Sequence, residues 1–350
     1  MPHSLRIALI GAGAMGRQHV QYMQGEPAVR LVGIADPYTS ALAKDYAVPA
    51  FLDHRRLLDE VRPDAVIIAN PNDQHVATAI DCLRAGVPTL LEKPVACSLA
   101  QARTLVAEER ACGVPLLVGH HRRHNPIVAQ ARNIMDQGLL GQLTAVTGLW
   151  QVRKDDAYFD AAWRREPGAG VLLINLIHDL DLLRYLCGEI LSVQALTSNA
   201  ARGFAVEDTA ALLLRFANGA LGTLSGSDAT VAPWGWDQNS GENPAVFAQQ
   251  PDQPCYLLAG TEGSLSIPQL TFWHYGNTQG GQGWHQPLLR DSHATRATGT
   301  MVAQLRHFIQ VARRECTPLV TAADAARTLA LVDAAHQAAR SGASVQPLAI

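Results

Sequence analysis

The apolar run Arg6 to Ile10 passes directly into Gly11-Ala12-Gly13-Ala14-Met15-Gly16 and then into a helical pattern reaching Gln24. A second apolar run, Val29 to Ala35, ends in Asp36, about 20 residues past the last glycine. A bare G-x-G-x-x-G recurs by chance. Set between a strand and a helix, with an acid at the end of the next strand, it is the fingerprint of a βαβ unit that cradles a dinucleotide. Gly11 permits the tight turn, and Gly13 lets the N–H groups of the residues that follow, Ala14 and Met15 among them, approach a pyrophosphate. Gly16 lets the helix sit close to the strand. Asp36 is expected to accept hydrogen bonds from the adenosine ribose and to repel a 2′-phosphate, and Pro37-Tyr38-Thr39 offers no arginine to receive one. NAD(H) is therefore favoured, with NADP(H) left open. An aspartate at a strand end can equally be a plain cap.

The alternation continues. A short strand near Ala50 and Phe51, a helix over Arg55 to Val61, a strand over Asp64 to Ala69, and a helix over His75 to Ala85 are followed by the strand Thr89 to Leu91. Ser98 with Gln101 forms a capping box for a helix to Cys112, and Leu116 to Val118 is a sixth strand. Strands alternating with helices at this spacing predict a doubly wound parallel sheet, the Rossmann form of an α/β fold. Ligand then lies at the carboxyl ends of the strands, where Gly11, Asp36, Asn70 and Lys93 all fall. At 350 residues a second domain is expected. We divide the chain into residues 1–122, a nucleotide-binding domain, and 123–350, a domain for substrate and oligomerisation.

The strand Thr89 to Leu91 delivers Glu92-Lys93-Pro94 to this edge, and the preceding strand delivers Asn70-Pro71-Asn72, with His75 opening the next helix. By themselves these could be solvated residues at strand ends. In combination with the glycine fingerprint they resemble the family of glucose-fructose oxidoreductase, inositol dehydrogenase and the rhizopine-catabolism protein MocA. With a later histidine motif the resemblance spans nearly the whole chain. It implies that Lys93 is catalytic, that Glu92 contacts cofactor ribose, and that Asn70, Asn72 and His75, with Lys93 itself, contact the cofactor.

Composition narrows the partners. A net charge of -3 leaves no broad basic face for a polyanion, so nucleic acid is not expected. Six cysteines without a C-x-x-C pair fit buried thiols in a reducing cytosol better than a zinc site or disulfide scaffold. No charged leader precedes the first strand, and no apolar run reaches the roughly 18 residues that span a bilayer. The expected location is cytoplasmic, without membrane association.

Gly119-His120-His121-Arg122-Arg123-His124-Asn125-Pro126 leaves the sixth strand and enters a new helix, with Asn125 as N-cap and Pro126 at its first position. The histidines precede the cap, so the i, i+4 face that a helical metal pair uses is missing, and no metal is expected. We expect instead a cationic rim in which His121 and Arg122 attract substrate, an inert solvated turn being the competing reading.

Beyond the strand Leu143 to Val152, Trp163 and Arg164 are expected to contact the cofactor. Gly168-Ala169-Gly170 then opens an apolar helix over Val171 to Cys187. Asn175, His178 and Asp181 recur at i, i+3, i+6 and are expected to form one polar arc on it, since leaving such groups buried without partners costs about 1–3 kcal/mol each. The arc matches the G-G-G…H-x-x-D segment of the family, which implies a catalytic His178. Many relatives carry aspartate four residues before this histidine; here the position is Ile174. Asn175 is the nearest polar substitute, so Lys93, Asn175 and His178 are the expected catalytic set, with Asn175, His178 and Asp181 also on the substrate.

The remaining strands (Leu191 to Ser198, Ala210 to Phe216, Ala220 to Gly226, Cys255 to Ala259, Gly263 to Ile267 and Thr271 to Tyr275) predict an α+β domain with a large, mostly antiparallel open sheet. One face of such a sheet is expected to pair with another subunit in a homodimer or homotetramer. Residues 228–254 form a long loop, read either as a lid or as a subunit contact. The expected function is an NAD(P)-dependent dehydrogenase or reductase acting on a CH–OH group of a small polyol, sugar, sugar acid or cyclic diol, carboxylated or not, with Lys93 and His178 as acid/base pair. The alternatives are an NAD-dependent glycosidase or lyase using transient oxidation, and a non-catalytic NAD(H)-binding regulator.

Overall fold

A computed structural model describes residues 4–38, 41–276, 283–293, 295 and 299–350. The chain separates into two units. One comprises the stretch up to His121 with Thr300–Leu329 and Ile350, the other Arg122–Gly299 with Ala330–Ala349. The division thus falls beside His121, and a C-terminal segment returns to the first unit.

The first unit carries six parallel strands: β1 (Leu5–Ile10), β2 (Val29–Ala35), β3 (Ala50–Phe51), β4 (Ala65–Ile68), β5 (Thr89–Leu91) and β6 (Leu116–Val118). Their order is β3-β2-β1-β4-β5-β6, the doubly wound arrangement, with the crevice between β1 and β4 where the order reverses. Every residue of β4, β5 and β6 is buried, so these strands read as continuous apolar runs rather than alternating ones. The connecting helices are α1 (Ala14–Gln24), α2 (Ala41–Asp45), α3 (His54–Val61), α4 (His75–Arg84) and α5 (Leu99–Cys112). Asp53 caps α3 by accepting from Arg55 N at 2.9 Å. The capping box of α5 is formed: Ser98 Oγ accepts from Gln101 N at 3.3 Å and Gln101 Oε1 accepts from Cys97 N at 3.2 Å. The five-residue α2 carries no periodic signal in the sequence and was not expected.

The glycines of the first turn behave as their spacing implies. Gly11 has φ +98°, and a Cβ there would lie 2.5 Å from the Ala69 backbone. A Cβ on Gly16 would lie 2.0 Å from the Gly11 carbonyl oxygen, whereas one on Gly13 would meet nothing within 4 Å. Two glycines permit contact and the third keeps a space open.

The second unit is built on an eight-stranded sheet of β7 (Leu143–Gln151), β8 (Ile190–Ser198), β9 (Thr209–Phe216), β10 (Leu221–Ser227), β11 (Tyr256–Gly260), β12 (Gly263–Ile267), β13 (Thr271–His274) and β14 (Leu289–Ser292). The order is β14-β13-β12-β11-β7-β10-β9-β8; only β7 and β10 pair in parallel. Its core holds Trp150, Trp236, Tyr256 and Phe216, all fully buried. Helices α6 (Pro126–Asp136) and α7 (Ile177–Cys187) and the short α8 (Trp236–Asn239) belong to this unit. The helix α9 (Thr300–Ala312) belongs to the first, and α10 (Ala322–Ser341) contributes to both.

Three expectations need correction. The helix expected over Val171 to Cys187 is not uniform: Leu172–Leu176 is a π-helical turn that leads into α7. Two contacts fix this wide turn. Glu207 Oε1 accepts from Leu172 N at 3.1 Å, and Leu176 lies where a side chain on Gly226 would stand. The 228–254 loop is not a free lid, since Trp236 is fully buried and Asn239 Nδ2 donates to the carbonyls of Pro233 and Gln250, each at 2.8 Å. Among the cysteines Cys82, Cys187 and Cys255 are buried, but Cys97 is exposed and Cys112 and Cys316 are intermediate; all six are free thiols. No helix among the described residues is long and apolar enough to cross a membrane.

Replacing a helical glycine by alanine ordinarily stabilises a protein by up to about 1 kcal/mol. At Gly16 the sign reverses, because the added methyl meets the Gly11 carbonyl. Gly16→Ala is expected to destabilise by about 1–3 kcal/mol in urea titration, and an unchanged or raised midpoint would contradict the close approach.

Candidate active site

In the first unit the expected nucleotide site is assembled at the carboxyl ends of β1, β2 and β4. A cavity of about 130 Å³ is lined there by Gly11, Asp36, Tyr38, His54, Asn70 and Gln74 among others. Asp36 does more than cap: its Oδ2 accepts from Ala12 N at 2.7 Å and its Oδ1 from Tyr38 N at 2.8 Å, tying β2 to the glycine turn. Thr39 lies outside the described residues. Gly13, Ala14 and Met15 open α1 with no side-chain cap, so the first N–H groups are presented to an anion. Asn70 Nδ2 donates to Thr78 Oγ1 at 2.9 Å, while its buried Oδ1 has no hydrogen-bond partner. An orphaned acceptor, an uncapped helix start and the open space at Gly13 together fit a dinucleotide. Asn72 opens the 3₁₀ turn Asn72–Gln74 and is half-buried.

His75 does a different job from the expected cofactor contact. It is fully buried, with Nδ1 2.8 Å from Pro94 O and Nε2 3.0 Å from Asn70 O. Burial holds its pKa below the ordinary value, against the two carbonyls, which raise it. A neutral imidazole has one N–H, and we assign it to Nδ1 on the shorter contact. His75 thereby ties the start of α4 to the Lys93-Pro94 peptide beyond β5, and its unprotonated Nε2 rests beside the Asn70 carbonyl without donating to it.

Glu92 is likewise turned inward. Its Oε1 meets His19 Nε2 of α1 at 2.8 Å, and its Oε2 accepts from Lys93 N at 3.2 Å. Burial pushes its pKa up, but the His19 hydrogen bond and the charges of His19, His121 and Lys93 outweigh it and hold the carboxyl below its ordinary value of 4.5. His121 therefore belongs to the electrostatic surroundings of Glu92. Lys93 follows as a half-buried residue whose backbone is fixed on both sides.

The second unit holds the other expected residues. Asn175 and His178 are half-buried members of a helical run that is otherwise largely buried. The expected three-residue arc does not survive. Steps of three fall short of a full turn, so Asp181 lies about 120° round the helix from Asn175. Asp181 is buried, and both its oxygens pair with Arg123, at 2.6 and 2.8 Å. Asn175 Oδ1 accepts from Lys154 Nζ at 2.8 Å.

The solvated cationic rim also gives way. The residues His121–His124 form a 3₁₀ turn before the Asn125 cap, but Arg122 and Arg123 are buried. Arg122 lies 3.4 Å from Asp179 and 3.3 Å from Asp237, over the Trp236 ring. Tyr256 donates to Asp179, whose pKa burial pushes up to about 6 despite Arg122 and this hydrogen bond. These arginines answer internal carboxylates rather than attract ligand. Trp163 is exposed, and Arg164 donates from NH1 to Tyr158 O at 2.5 Å and stacks on that ring. Sequence reasoning missed His19 and Lys154. His19 has no pattern to mark it; Lys154 lies between Trp150 and Tyr158-Phe159, a cation among aromatics at a strand end, which is a readable signal.

The chain matches the family model described as "Oxidoreductase family, NAD-binding Rossmann fold" over residues 5–120 and the "GFO/IDH/MocA C-terminal domain" over residues 128–266. It is similar to the scyllo-inositol 2-dehydrogenase (NAD(+)) of Bacillus subtilis (strain 168), 28% identical over 356 residues and covering 99% of this chain and 97% of that protein. It is similar also to the inositol 2-dehydrogenase of Rhizobium meliloti (strain 1021), 27% identical with 95% and 96% covered. The solved structure of the WlbA dehydrogenase from Bordetella pertussis, in complex with NADH and UDP-GlcNAcA, shares the fold with a TM-score of 0.79 at 24% identity, covering 99% of this chain and 100% of that one.

A carboxylate whose folded pKa is depressed contributes stability above its unfolded pKa and loses it as pH falls through the folded value. In denaturation measured against pH, wild type should exceed Glu92→Gln in stability near about pH 6, and the gap should close below about pH 4. A gap that is constant across this range would refute the assignment.

Proposed function

The chain belongs to the GFO/IDH/MocA family of NAD-binding oxidoreductases, and on that premise we propose that it transfers hydride between nicotinamide and a carbinol of a small polyol, sugar, sugar acid or cyclic diol. The observation that carries this reading is the placement of Lys93. It stands at the carboxyl end of β5, beside the strand that presents Asn70, with its backbone fixed through Glu92–His19 and His75–Pro94. The inositol dehydrogenases among the relatives support the polyol class.

In this scheme the glycine turn holds the pyrophosphate, Asp36 the adenosine ribose, and Asn70 Oδ1 the nicotinamide half of NAD(H). When bound, the nicotinamide would supply the acceptor for the hydride of the carbinol carbon. Lys93 hydrogen-bonds the carbinol oxygen and stabilises the negative charge that develops there as its proton leaves for the ring of His178. Proton removal by a placed side chain contributes about 10²–10⁴-fold to rate. The Asp181–Arg123 pair holds the helix that presents His178.

The same reading places the protein in the cytoplasm as a homodimer or homotetramer. The outer face of the eight-stranded sheet carries Leu196, Leu213 and Leu221, 72%, 56% and 54% exposed. A face this apolar is better covered than wet.

Two outcomes are expected. Lys93→Ala should lose at least about 10²-fold in NADH formation while titration calorimetry still shows NAD(H) binding; near-normal turnover would sink the scheme. Leu213→Lys should shift the sedimentation coefficient toward monomer, and an unshifted oligomer would remove this face from the interface.

A further inference from the structure

The helical run that carries His178 changes pitch on the way to it. Its buried residues step from Val171 and Leu172 to Leu176 and Ile177, five positions on, and then to Leu180 and Asp181, four positions on. Five is the repeat of the π turn Leu172–Leu176 and four that of α7. One extra residue is thus accommodated before α7, and Leu173, Ile174 and Asn175 follow one another as half-buried positions. In a plain α-helix the phase between the start of the run and His178 would differ by about 100°. A turn of this kind is uncommon and is found most often at functional sites, so what holds it open bears on what it presents.

Glu207 holds it. The first N–H groups of a helical run have no partner within it. Here Glu207 answers two of them: its carbonyl accepts from Val171 N at 3.1 Å and its Oε1 from Leu172 N at 3.1 Å. Gly170 gives the carboxylate room, since a Cβ there would lie 2.1 Å from Oε1. His336 Nε2, on α10, stands 3.5 Å from the same oxygen, and the Glu207 side chain is only 13% exposed. Burial raises the Glu207 pKa, but the His336 and backbone hydrogen bonds outweigh it and keep the carboxyl below its ordinary value of 4.5, so the bond to Leu172 is charge-assisted. The base on which Glu207 stands is itself fixed. Asp208, the next residue, is buried, donates its N–H to Ser198 O at 2.9 Å and accepts at Oδ2 from Ala201 N and Arg202 N at 3.0 and 2.9 Å. At the far end of the turn Leu176 lies where a side chain on Gly226 of β10 would stand.

We propose that Glu207 is the positioning residue for His178: by holding the first two N–H groups of the run it keeps the turn in its π form and sets the phase at which α7 presents the imidazole. This rests on the reading of His178 as the proton acceptor in hydride transfer. Glu207 touches neither substrate nor cofactor in this scheme. Its effect falls on the chemical step rather than on binding, because a reacting group displaced by about 1 Å can cost about 10²-fold in rate.

The test compares wild type with Glu207→Ala, Glu207→Gln and His178→Gln in the full chain. NADH formation is followed with myo-inositol, D-glucose and D-gluconate as probes, and amide hydrogen exchange is read over residues 171–178, which needs no substrate. Glu207→Ala is expected to lower kcat at least about tenfold with KM within about twofold. It should also raise exchange of the Leu172–Leu176 amides about tenfold or more while the strands of the sheet keep their protection. Glu207→Gln retains an oxygen for Leu172 N and should restore kcat to within about threefold of wild type. Should Glu207→Ala not fold, Glu207→Asp, which keeps the charge but ends one methylene short of Leu172 N, decides on the same readouts. A purely stabilising role predicts a lowered melting temperature with unchanged kcat per folded site, and that result overturns the proposal. So does wild-type exchange over 171–178 in the variant, whether or not a probe is oxidised. Full kcat in His178→Gln removes instead the acid/base reading, and the proposal with it.

Discussion

Two buried histidines hold the carboxyl edge of the nucleotide-binding sheet together. His19 reaches from α1 to Glu92, and His75 donates from α4 to the carbonyl of Pro94. Two helices are thereby tied to the end of β5 around Lys93 without any of these bonds using its ammonium. Positioning a reacting group to a fraction of an ångström is what converts a side chain into a catalyst, and here the precision comes from backbone carbonyls and a buried carboxylate that have nowhere else to go. A desolvated acceptor is costly to leave unmatched, so the same penalty that stabilises the edge also makes it rigid.

The second unit applies the same principle with formal charges. Arg122 and Arg123 leave β6 and are drawn inward by Asp179, Asp237 and Asp181. Removing one partner of such a buried pair leaves an uncompensated charge at a cost of about 3–5 kcal/mol, which is why the arrangement is mutual. It fixes the helix that carries His178. Lys154 donates to the amide oxygen of Asn175 on the same helical run at 2.8 Å and pairs with Asp228 at 3.5 Å.

Much of this was legible in the residues. The glycine turn, Asp36, the capping box at Ser98, the Asn125 cap and nearly every strand follow from local rules of propensity, periodicity and φ, which depend on neighbours a few positions away. The corrections share a cause. His75 and Glu92 carry the resemblance to the family, yet their side chains face inward; Asp181 keeps the spacing of an arc but rotates off it; Arg122 reads as solvated until its carboxylates are placed beside it. In each case the deciding partner lies more than 15 positions away, as 19 do for His75 and Pro94, or 115 for Arg122 and Asp237.

By itself the sequence determined the parallel sheet, the nucleotide fingerprint and the strand end at which Lys93 stands, because a strand followed by a glycine turn has few ways to fold. Only the tertiary structure decided which polar groups are matched and which are left to a ligand. Hydrogen-bond and charge pairing is settled by contacts between elements remote in the chain, and no local pattern records it. Thus the fingerprint at Gly11 to Gly16 could be read from its letters, whereas the hydrogen bond from Lys154 to Asn175, 21 positions away, exists only in the folded second unit.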